Sequence, residues 1–579
     1  MKLSEHLSRL YDYYIDRYLA LLGERRRNLN TFEARELITA TLLDPQRLHA
    51  LWAQLDDLSR LAVAEAYHND GEFVVGAFLA RYGRLPNSYK KYDYGIYHRH
   101  DKVLFDLFIW ENHIPDDMLP LLASIVPPVD PFRLTGLPTP PDSVLLEKRR
   151  LEPIVKLTEQ AGLNDLPVYL RLVENGELSF SVTSNRLTGG GARKLLANLL
   201  DGDFVPPPDK WRVNDLIRPN GLDIFALASG LRTEAGMLTP AGREYLRRRD
   251  PELLLGAFET WAQSNLFDEL LRLDGLKRLR AAATQRTPPA PRRAAIIEAL
   301  SWCPTDVWIE VKEFCRALQI WHFDFNLEKP GISNLKAEYL NFYSINEPTY
   351  WEYVKIPYVK AVLWEYLGAL GALDLLFVPE ELAAVQVVNY APPMTISRYD
   401  GLLYFRINRL GAFLLGQADT FEAAPLSETV LCRIDADGAM TAPEPDRLLP
   451  NVRLQLEQLA APLSPTRYQL DNQRILDALA IGQQPEEMLA FLAELQGGEP
   501  VDTAVATRIQ QLADNAREFT RGAKALIINV RRPELVTMAL ADPVLGKFSR
   551  QVDARTLVIP AHGEKRFRER LKELEYLLR

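Results

Sequence analysis

The chain has 579 residues, of which 47% are hydrophobic and 25% charged, a balance typical of globular proteins rather than of disordered or collagen-like chains. Its net charge of −9 argues against a protein that coats nucleic acid over its whole surface. Its three cysteines form no CxxC pair, which argues against a disulfide framework or a zinc ribbon and favours the reducing cytoplasm.

The first predicted element is an amphipathic helix. Leu3, Leu7, Leu10 and Tyr14 recur at helical spacing, and charged residues interrupt them every few positions. The pattern indicates a packed helix rather than a signal peptide. No stretch of the sequence approaches the roughly 20 apolar residues that span a bilayer, so we expect a cytoplasmic protein with no membrane partner.

Proline-rich stretches mark three candidate domain boundaries, because proline disfavours helix interiors and central strands. They cover residues 126–142, 286–293 and 442–450. We therefore predict four domains in a mainly α chain with small β elements. They are a helical, winged-helix-like domain over 1–130, two further winged-helix-like domains over 145–285 and 294–424, and an α+β domain over 425–579.

The winged-helix prediction depends on a recurring order of two or three helices followed by a short β-rich stretch. In the first domain, the turn residues 68–71 separate two helical segments. In the second, residues 176–182 alternate as a strand does, and Thr239 and Pro240 are placed to begin a helix as its N-cap and first residue. In the third, a strand over 402–407 precedes a short helix.

The last domain has the most specific pattern. Two helices with a glycine break occupy 466–495, a third helix occupies 499–516, and strand–helix pairs follow over 525–548 and 555–577. Short motifs occur at fixed places in this order: Tyr468-Gln469-Leu470, Ala480-Ile481-Gly482, Pro500-Val501, Ile509, Leu526-Ile527-Ile528, Pro533-Glu534-Leu535, Ala541-Asp542-Pro543 and Leu557-Val558-Ile559-Pro560.

Together these motifs resemble the N-terminal, helicase-associated domain of XPB-type DNA helicases, a domain that also occurs in bacterial proteins without the motor. Residues 61–86 and 397–416 resemble the helical and winged-helix regions of those motorless proteins. The resemblance implies DNA binding or association with a helicase, and it implies no reaction. The family often carries a Trp before its small β element, whereas residues 512–517 contain no aromatic residue.

A search for chemistry finds no catalytic motif. The string from Gly189 to Lys194 lacks the spacing and the Ser or Thr of a nucleotide-binding loop, and it indicates a flexible turn before a helix. No GxSxG motif is present. His98 and His100 are two apart, but the sequence places no third metal ligand beside them. We therefore predict neither enzyme activity nor a cofactor nor a metal.

Three patches are candidates for contacting DNA. The first lies in residues 88–102, where cations alternate with tyrosines that could stack on exposed bases. Its candidate residues are Lys90, Lys91, Tyr92, Arg99 and Lys102. The alternative is a wing that packs its tyrosines on its own core.

The other two patches lie on predicted helices. One is at the start of the predicted recognition helix of the second domain, where helix N-termini favour phosphate, and the other is on the final helix. Their residues are Arg186, Arg193 and Lys194 in the first and Arg566, Arg568 and Arg570 in the second. Each could instead be a solvated helix face.

Together these observations predict a non-catalytic DNA-binding accessory protein that acts with a helicase or nuclease supplied in trans. The alternative is a protein-interaction scaffold or transcriptional regulator whose winged helices contact protein. The net charge of each segment bears on the choice between these two functions. Residues 146–300 carry +3 and residues 466–579 carry +1, which favours DNA contact in those segments. Residues 1–145 carry −4 and residues 301–465 carry −9, and the strongly acidic 301–465 favours protein contact.

Overall fold

The chain folds into two compact units. The computed structural model describes residues 1–26, 29–91, 97–99, 102–146, 148–277, 283–329, 336–337, 350–384, 395–423, 430–519 and 523–578. Unit 1 comprises Met1–Leu426 and Asp446–Leu456, and unit 2 comprises Ser427–Pro445 and Glu457–Arg579. Both are mixed α+β structures in which helices predominate over small sheets, so the predicted mixed class is confirmed.

The N-terminal part of unit 1 is built from short amphipathic helices around one core. The elements are α1 (Leu3–Ser8), α2 (Asp12–Leu21), α3 (Thr31–Leu42), α4 (Pro45–Gln54), α5 (Asp57–His68), α6 (Val75–Tyr82), α7 (Leu119–Leu122), β1 (Tyr89–Lys91) and β2 (Tyr97–Arg99). The single predicted N-terminal helix is two helices, because the chain turns at 9–11 and thereby brings Leu3, Leu7 and Ile15 into the same core. The predicted turn at 68–71 is confirmed: α5 ends there, and Asp70 and Gly71 have φ values of 52° and 85°.

Residues 126–142, which were predicted to be a linker, pack against the core of unit 1. They contain no helix or extended strand, as their prolines predict. Leu134 nevertheless joins the central core with 8% of its surface exposed. Leu137 exchanges backbone hydrogen bonds of 2.9 and 2.7 Å with Trp308. Gly136 is required at this contact, since a Cβ there would lie 2.6 Å from Val307 Cγ2.

The rest of unit 1 encloses a single large core. Its helices are α8 (Glu159–Glu174), α9 (Gly189–Leu196), α10 (Arg218–Ala228), α11 (Pro240–Arg248), α12 (Pro251–Gln263), α13 (Pro289–Ser301), α14 (Val311–Ile320), α15 (351–368, with π-helical turns at both ends), α16 (Arg409–Leu414) and α17 (Pro450–Glu457). Its strands are β3 (Val144–Leu146), β4 (Arg149–Leu151), β5 (Ile154–Lys156), β6 (Leu276–Lys277), β7 (Trp308–Glu310), β8 (Lys336–Ala337), β9 (Leu373–Phe377) and β10 (Leu402–Ile407).

One antiparallel sheet joins the regions predicted as the second and third domains. Its strand order is β5-β9-β10-β7, with Val155 opposite Leu376 and Phe405 opposite Ile309. Residues 286–293, which were predicted to be a linker, are also part of the folded unit, because α13 begins at Pro289 within them. Residues 145–285 and 294–424 therefore share a sheet and a core.

The β-rich stretches predicted in the second domain are shorter than strands. At 176–182 the structure has one isolated bridge, between Phe180 and Leu187, because the chain reverses at Asn185, whose φ is 55°. A second tight turn is closed by a bridge between Arg232 and Leu238. Each turn leads directly into a helix.

Three helices of unit 1 begin with the same type of N-cap hydrogen bond. A Thr or Asn side chain caps the helix and accepts a hydrogen bond from the N–H of a glycine three residues later. The pairs are Thr188 and Gly191 in α9, Thr239 and Gly242 in α11, and Asn408 and Gly411 in α16. The predicted cap at Thr239 is thus confirmed. The predicted flexible turn at 189–191 is wrong, since these glycines form the first turn of α9.

Unit 2 contains two antiparallel sheets, ordered β11-β12-β14-β13 and β15-β17-β16. The elements are β11 (Arg433–Ile434), β12 (Ala439–Thr441), β13 (Ala460–Ser464), β14 (Arg467–Leu470), α18 (Asn472–Ala480), α19 (Pro485–Leu495), α20 (Thr503–Glu518), β15 (Ala525–Asn529), α21 (Pro533–Ala541), β16 (Arg550–Asp553), β17 (Thr556–Pro560) and α22 (Glu564–Glu573). The two helices predicted around a glycine break, the third helix and the strand–helix pairs at 525–577 are confirmed. The predicted helical start at 466–470 is wrong, because those residues form β14, and β11 to β13 and β16 were not predicted either.

Residues 523–578, here called the C-terminal lobe, have a half-covered sheet. Ile528 and Leu557 face a small core with Val536 of α21 and Phe567 of α22. The opposite face of the sheet is open, and Ile527 there is 70% exposed. Among the described residues of the whole chain, no helix is long and apolar enough to cross a bilayer.

Candidate nucleic-acid interface

The first predicted patch forms a β-hairpin. β1 and β2 pair with Lys90 opposite His98 and Tyr89 opposite Arg99. The structure describes only the backbone of Lys90, Lys91 and Arg99, and Tyr92 lies outside the described residues. Tyr89 packs its ring near Phe73 and Phe105, as expected from the alternative interpretation of a wing that packs its tyrosines on its own core.

Lys102, the last member of this patch, is bound to its own domain. Its Nζ lies 3.9 Å from Oδ1 of Asp106, a fully buried carboxylate. The same ammonium lies over the rings of Tyr14 and Tyr18, at 5.6 and 5.3 Å from their centroids. This cation therefore stabilises the N-terminal core.

Arg186 is likewise directed inward. Its Nε donates a hydrogen bond of 2.6 Å to Oδ2 of Asp223, and its Nη2 donates one of 3.0 Å to Oδ1 of Asn220. The Asp223 side chain is fully buried and also pairs with Arg232 at 2.5 Å. A buried carboxylate needs such partners, because its desolvation is costly without them. The sequence-based role of Arg186 in binding DNA is therefore replaced by a structural one.

Arg193 and Lys194 remain at the surface of α9. The guanidinium of Arg193 lies 5.6 Å from the ring centroid of Trp211, whose neighbours Lys210 and Arg212 are exposed. Lys194 forms an ion pair of 2.7 Å with Glu177. Burial raises the pKa of Glu177, but hydrogen bonds from Lys194 and Asn175 outweigh burial and leave that pKa lowered. This surface therefore carries several cations near one tryptophan, Trp211, and one of these cations, Lys194, is paired with a carboxylate.

The three arginines of the final helix have different environments. Arg566 is exposed and makes no ion pair with any residue that the structure describes. Arg568 pairs with Glu564 at 2.8 Å. Arg570 binds Asp542 through Nε and Nη2 at 3.0 and 2.8 Å. These bonds from Arg570, followed by backbone bonds from residues 544 and 545, lower the pKa of Asp542 to about 2.

Sequence reasoning missed a second group of arginines in the same lobe. Arg531 and Arg532 follow β15, and Arg555 lies in the turn between β16 and β17. The pairing of Asn529 with Thr556 and a hydrogen bond of 2.8 Å from Val530 N to Arg555 O bring these two points together. We call Arg531, Arg532 and Arg555 the arginine corner.

The three side chains of the arginine corner are exposed, and they form no ion pair within the described part of the chain. The carboxylate of the adjacent turn, Asp553, accepts a hydrogen bond of 2.7 Å from the backbone N–H of Arg555. That bond and the hydrogen bonds that Thr556 donates from its hydroxyl and its backbone N–H lower the pKa of Asp553. The corner also adjoins the N-terminus of α21, whose partial positive charge favours anions. The signal in the sequence was the Arg-Arg pair between the predicted strand and helix.

The lobe around the corner is basic in an acidic chain. It carries eleven Lys and Arg against seven Asp and Glu, a net charge of +4 compared with −9 for all 579 residues. On its open sheet face, Arg550 of β16 lies opposite Val558 of β17, which lies opposite Ile527 of β15. One additional aromatic, Phe519, follows α20 and is 95% exposed.

The cysteines and potential metal ligands suggest no reactive centre among the described residues. Cys303, Cys315 and Cys432 are buried. Burial raises the pKa of Cys315 to about 12 and that of Cys432 to about 11, which disfavours the nucleophilic thiolate. No three His, Cys, Asp or Glu side chains in the described ranges are grouped to hold a metal ion.

No protein-family model matches the chain, and no curated protein matches it either.

Proposed function

We propose that this protein is a non-catalytic DNA-binding accessory protein, and that the arginine corner is its principal phosphate contact. The observation that carries the proposal is the convergence of Arg531, Arg532 and Arg555 at one end of an open sheet without ion-pair partners among the described residues. Guanidinium groups bind phosphate oxygens in a bidentate manner, and most protein–DNA hydrogen bonds are made to the backbone.

The sequence motifs between residues 468 and 560, which resemble those of the helicase-associated domain of XPB-type helicases, support the same proposal. In unit 1, the successions α8–turn–α9 and α10–turn–α11 are compatible with reduced winged helices, and Arg193 beside Trp211 offers a secondary contact. A helicase or nuclease supplied in trans would then perform any chemistry.

The test is DNA binding by the full chain, measured as fluorescence anisotropy with labelled duplex, forked and single-stranded DNA at about 50 mM salt and at increasing salt. We expect binding that weakens steeply with salt, because neutralised phosphates release counterions. Reversing the corner with Arg531→Glu, Arg532→Glu and Arg555→Glu should weaken binding by about tenfold or more. It should also reduce the salt slope by about 2.7, at roughly 0.9 per lost contact.

A matched control separates specific contact from net charge. Lys547→Glu, Lys565→Glu and Lys572→Glu change the charge of the same lobe by the same amount, at exposed positions outside the corner. We expect this control to retain most of the affinity and both variants to keep the wild-type melting temperature. Equal losses in the two variants, or no binding of any DNA at low salt by the wild type, would refute the proposal.

A further inference from the structure

A groove on unit 1 lies on the surface formed by α12, α13 and the end of α16. Its volume is about 840 Å³. Leu255 of α12 and Ile297 of α13 are half-buried in its walls, and Phe413 and Leu414 of α16 contribute to its floor. The groove is open because small residues line it, including Ala262 and Ala294. Larger side chains at those positions would fill the space between the helices.

The rim of this groove is uniformly acidic. Glu252 and Glu259 of α12, Glu298 of α13 and Asp419 after α16 line it, and all four are exposed. None of the four forms an ion pair with a residue that the structure describes, and no Lys, Arg or His is among the residues lining the groove. Four uncompensated carboxylates around an apolar floor attract a cationic partner.

The basic residues of α13 do not neutralise the rim, because they are used elsewhere. Arg292 and Arg293 are each 1% exposed. Arg292 pairs with Asp268 at 2.8 Å, and Arg293 pairs with Glu269 at 3.2 Å. The fold therefore sequesters the cations of this helix in the core and leaves its carboxylate, Glu298, at the surface.

The length of the groove matches that of a short helix. The lining residues of α12 extend from Glu252 to Gln263, which at 1.5 Å per residue is about 16 Å, or three helical turns. Peptide helices bind such grooves through apolar residues spaced at i, i+3, i+4 and i+7.

We propose that this groove binds an amphipathic helix of a partner protein, with an apolar stripe flanked by Lys and Arg. The apolar stripe would cover Leu255, Ala294 and Ile297, and the flanking cations would pair with the four rim carboxylates. This inference is independent of DNA binding, since the groove belongs to unit 1 and the arginine corner to unit 2.

The probe is a fluorescein-labelled designed peptide of about 14 residues, helical, with leucines at the i, i+3, i+4 and i+7 positions and lysines beside them. Its control has the same leucines with glutamates in place of the lysines. We expect the full-length protein to bind the lysine peptide at least about tenfold more tightly than the glutamate peptide, with an affinity that decreases as salt screens the charges.

Two variants of the protein localise the binding. Glu252→Lys with Glu259→Lys reverses one side of the rim, and Ala294→Trp fills the groove at an exposed position; each should weaken binding by about tenfold or more. The control, Glu486→Lys with Glu494→Lys, makes the same charge change at exposed positions of α19 in unit 2 and should leave binding unchanged.

Equal affinity for the two peptides, absence of binding, or unchanged binding by both groove variants would overturn the proposal. So would a concentration-dependent dimer, seen by light scattering, that Ala294→Trp dissociates, because it would assign the groove to a second copy of the chain. Circular dichroism of each variant checks that a loss of binding does not come from unfolding. A failure here would leave the DNA titration unaffected.

Discussion

Nε of Arg186 lies 2.6 Å from Oδ2 of Asp223, and this contact changes the role of an arginine that the sequence presents as a DNA ligand. The same carboxylate accepts hydrogen bonds from Arg232 at 2.5 Å and from the hydroxyl of Tyr169 at 2.8 Å. Asp223 therefore links a turn before α9, helix α10, the second tight turn and α8. A cation in such a network stabilises the fold and has little freedom to reach a phosphate.

The first prediction is that Arg186→Ala lowers the free energy of unfolding by about 2–3 kcal/mol, because a buried carboxylate loses one of its charged partners. The matched change is Arg193→Ala, on the neighbouring surface, for which we expect a change within about 0.5 kcal/mol. Urea unfolding followed by circular dichroism measures both. Equal and small effects of the two substitutions would show that the contact with Asp223 does not stabilise unit 1.

The second prediction concerns the glycine after the Thr239 cap. A Cβ on Gly242 would lie 2.0 Å from the carbonyl oxygen of Leu231, a backbone atom that cannot move without disturbing the turn. Gly242→Ala should therefore destabilise the protein by about 1–3 kcal/mol, as overpacking does.

Gly189 provides the control for this substitution, because a Cβ there would meet no atom within 4 Å. Gly189→Ala should be neutral or stabilise the protein by up to about 1 kcal/mol, since alanine favours helix more than glycine does. Thermal unfolding of the two variants checks the pair. A Gly242→Ala protein as stable as wild type would contradict the close approach of α11 to Leu231.

The third prediction is a pH dependence that comes from Asp542. Hydrogen bonds from Arg570, and then from the backbone, lower its pKa in the folded state to about 2, whereas an unfolded Asp has a pKa of about 3.9. A lowered pKa means that the folded state is stabilised above the unfolded value. That contribution decreases as the pH falls from about 4 through about 2.

Arg570→Gln should therefore unfold at a lower temperature than wild type at pH 7, and the difference should shrink as the pH falls from about 4 through about 2. Arg566→Gln is the control, because Arg566 pairs with no carboxylate among the described residues, and its melting curves should follow those of wild type. Melting temperatures over this pH range provide the measurement. A difference between Arg570→Gln and wild type that is independent of pH would exclude ionised Asp542 as its source.

Features that depend on a few neighbouring residues were predictable. The cap of α11 is an example, since the Thr239 side chain bonds to an N–H only three residues away. The strand over Leu402–Ile407 and the short helix after it were also predicted, because the turn signal Asp400-Gly401 before a short apolar run is local. The same holds for the alternation of strands and helices after residue 525.

Features that depend on distant partners were not predictable. Val155 pairs with Leu376 in one sheet. No local sequence pattern distinguishes such a shared sheet from two separate domains joined by a proline-rich linker. In the same way, Arg566, Arg568 and Arg570 look equivalent in sequence, yet Arg570 binds a carboxylate 28 positions away and Arg566 does not. The sequence by itself determined the mixed α+β class, the Thr239 cap and the basic character of the C-terminal lobe. The tertiary structure alone decided which cations are neutralised in the interior and which remain at the surface, because an ion pair depends on distances in space that only the folded chain defines.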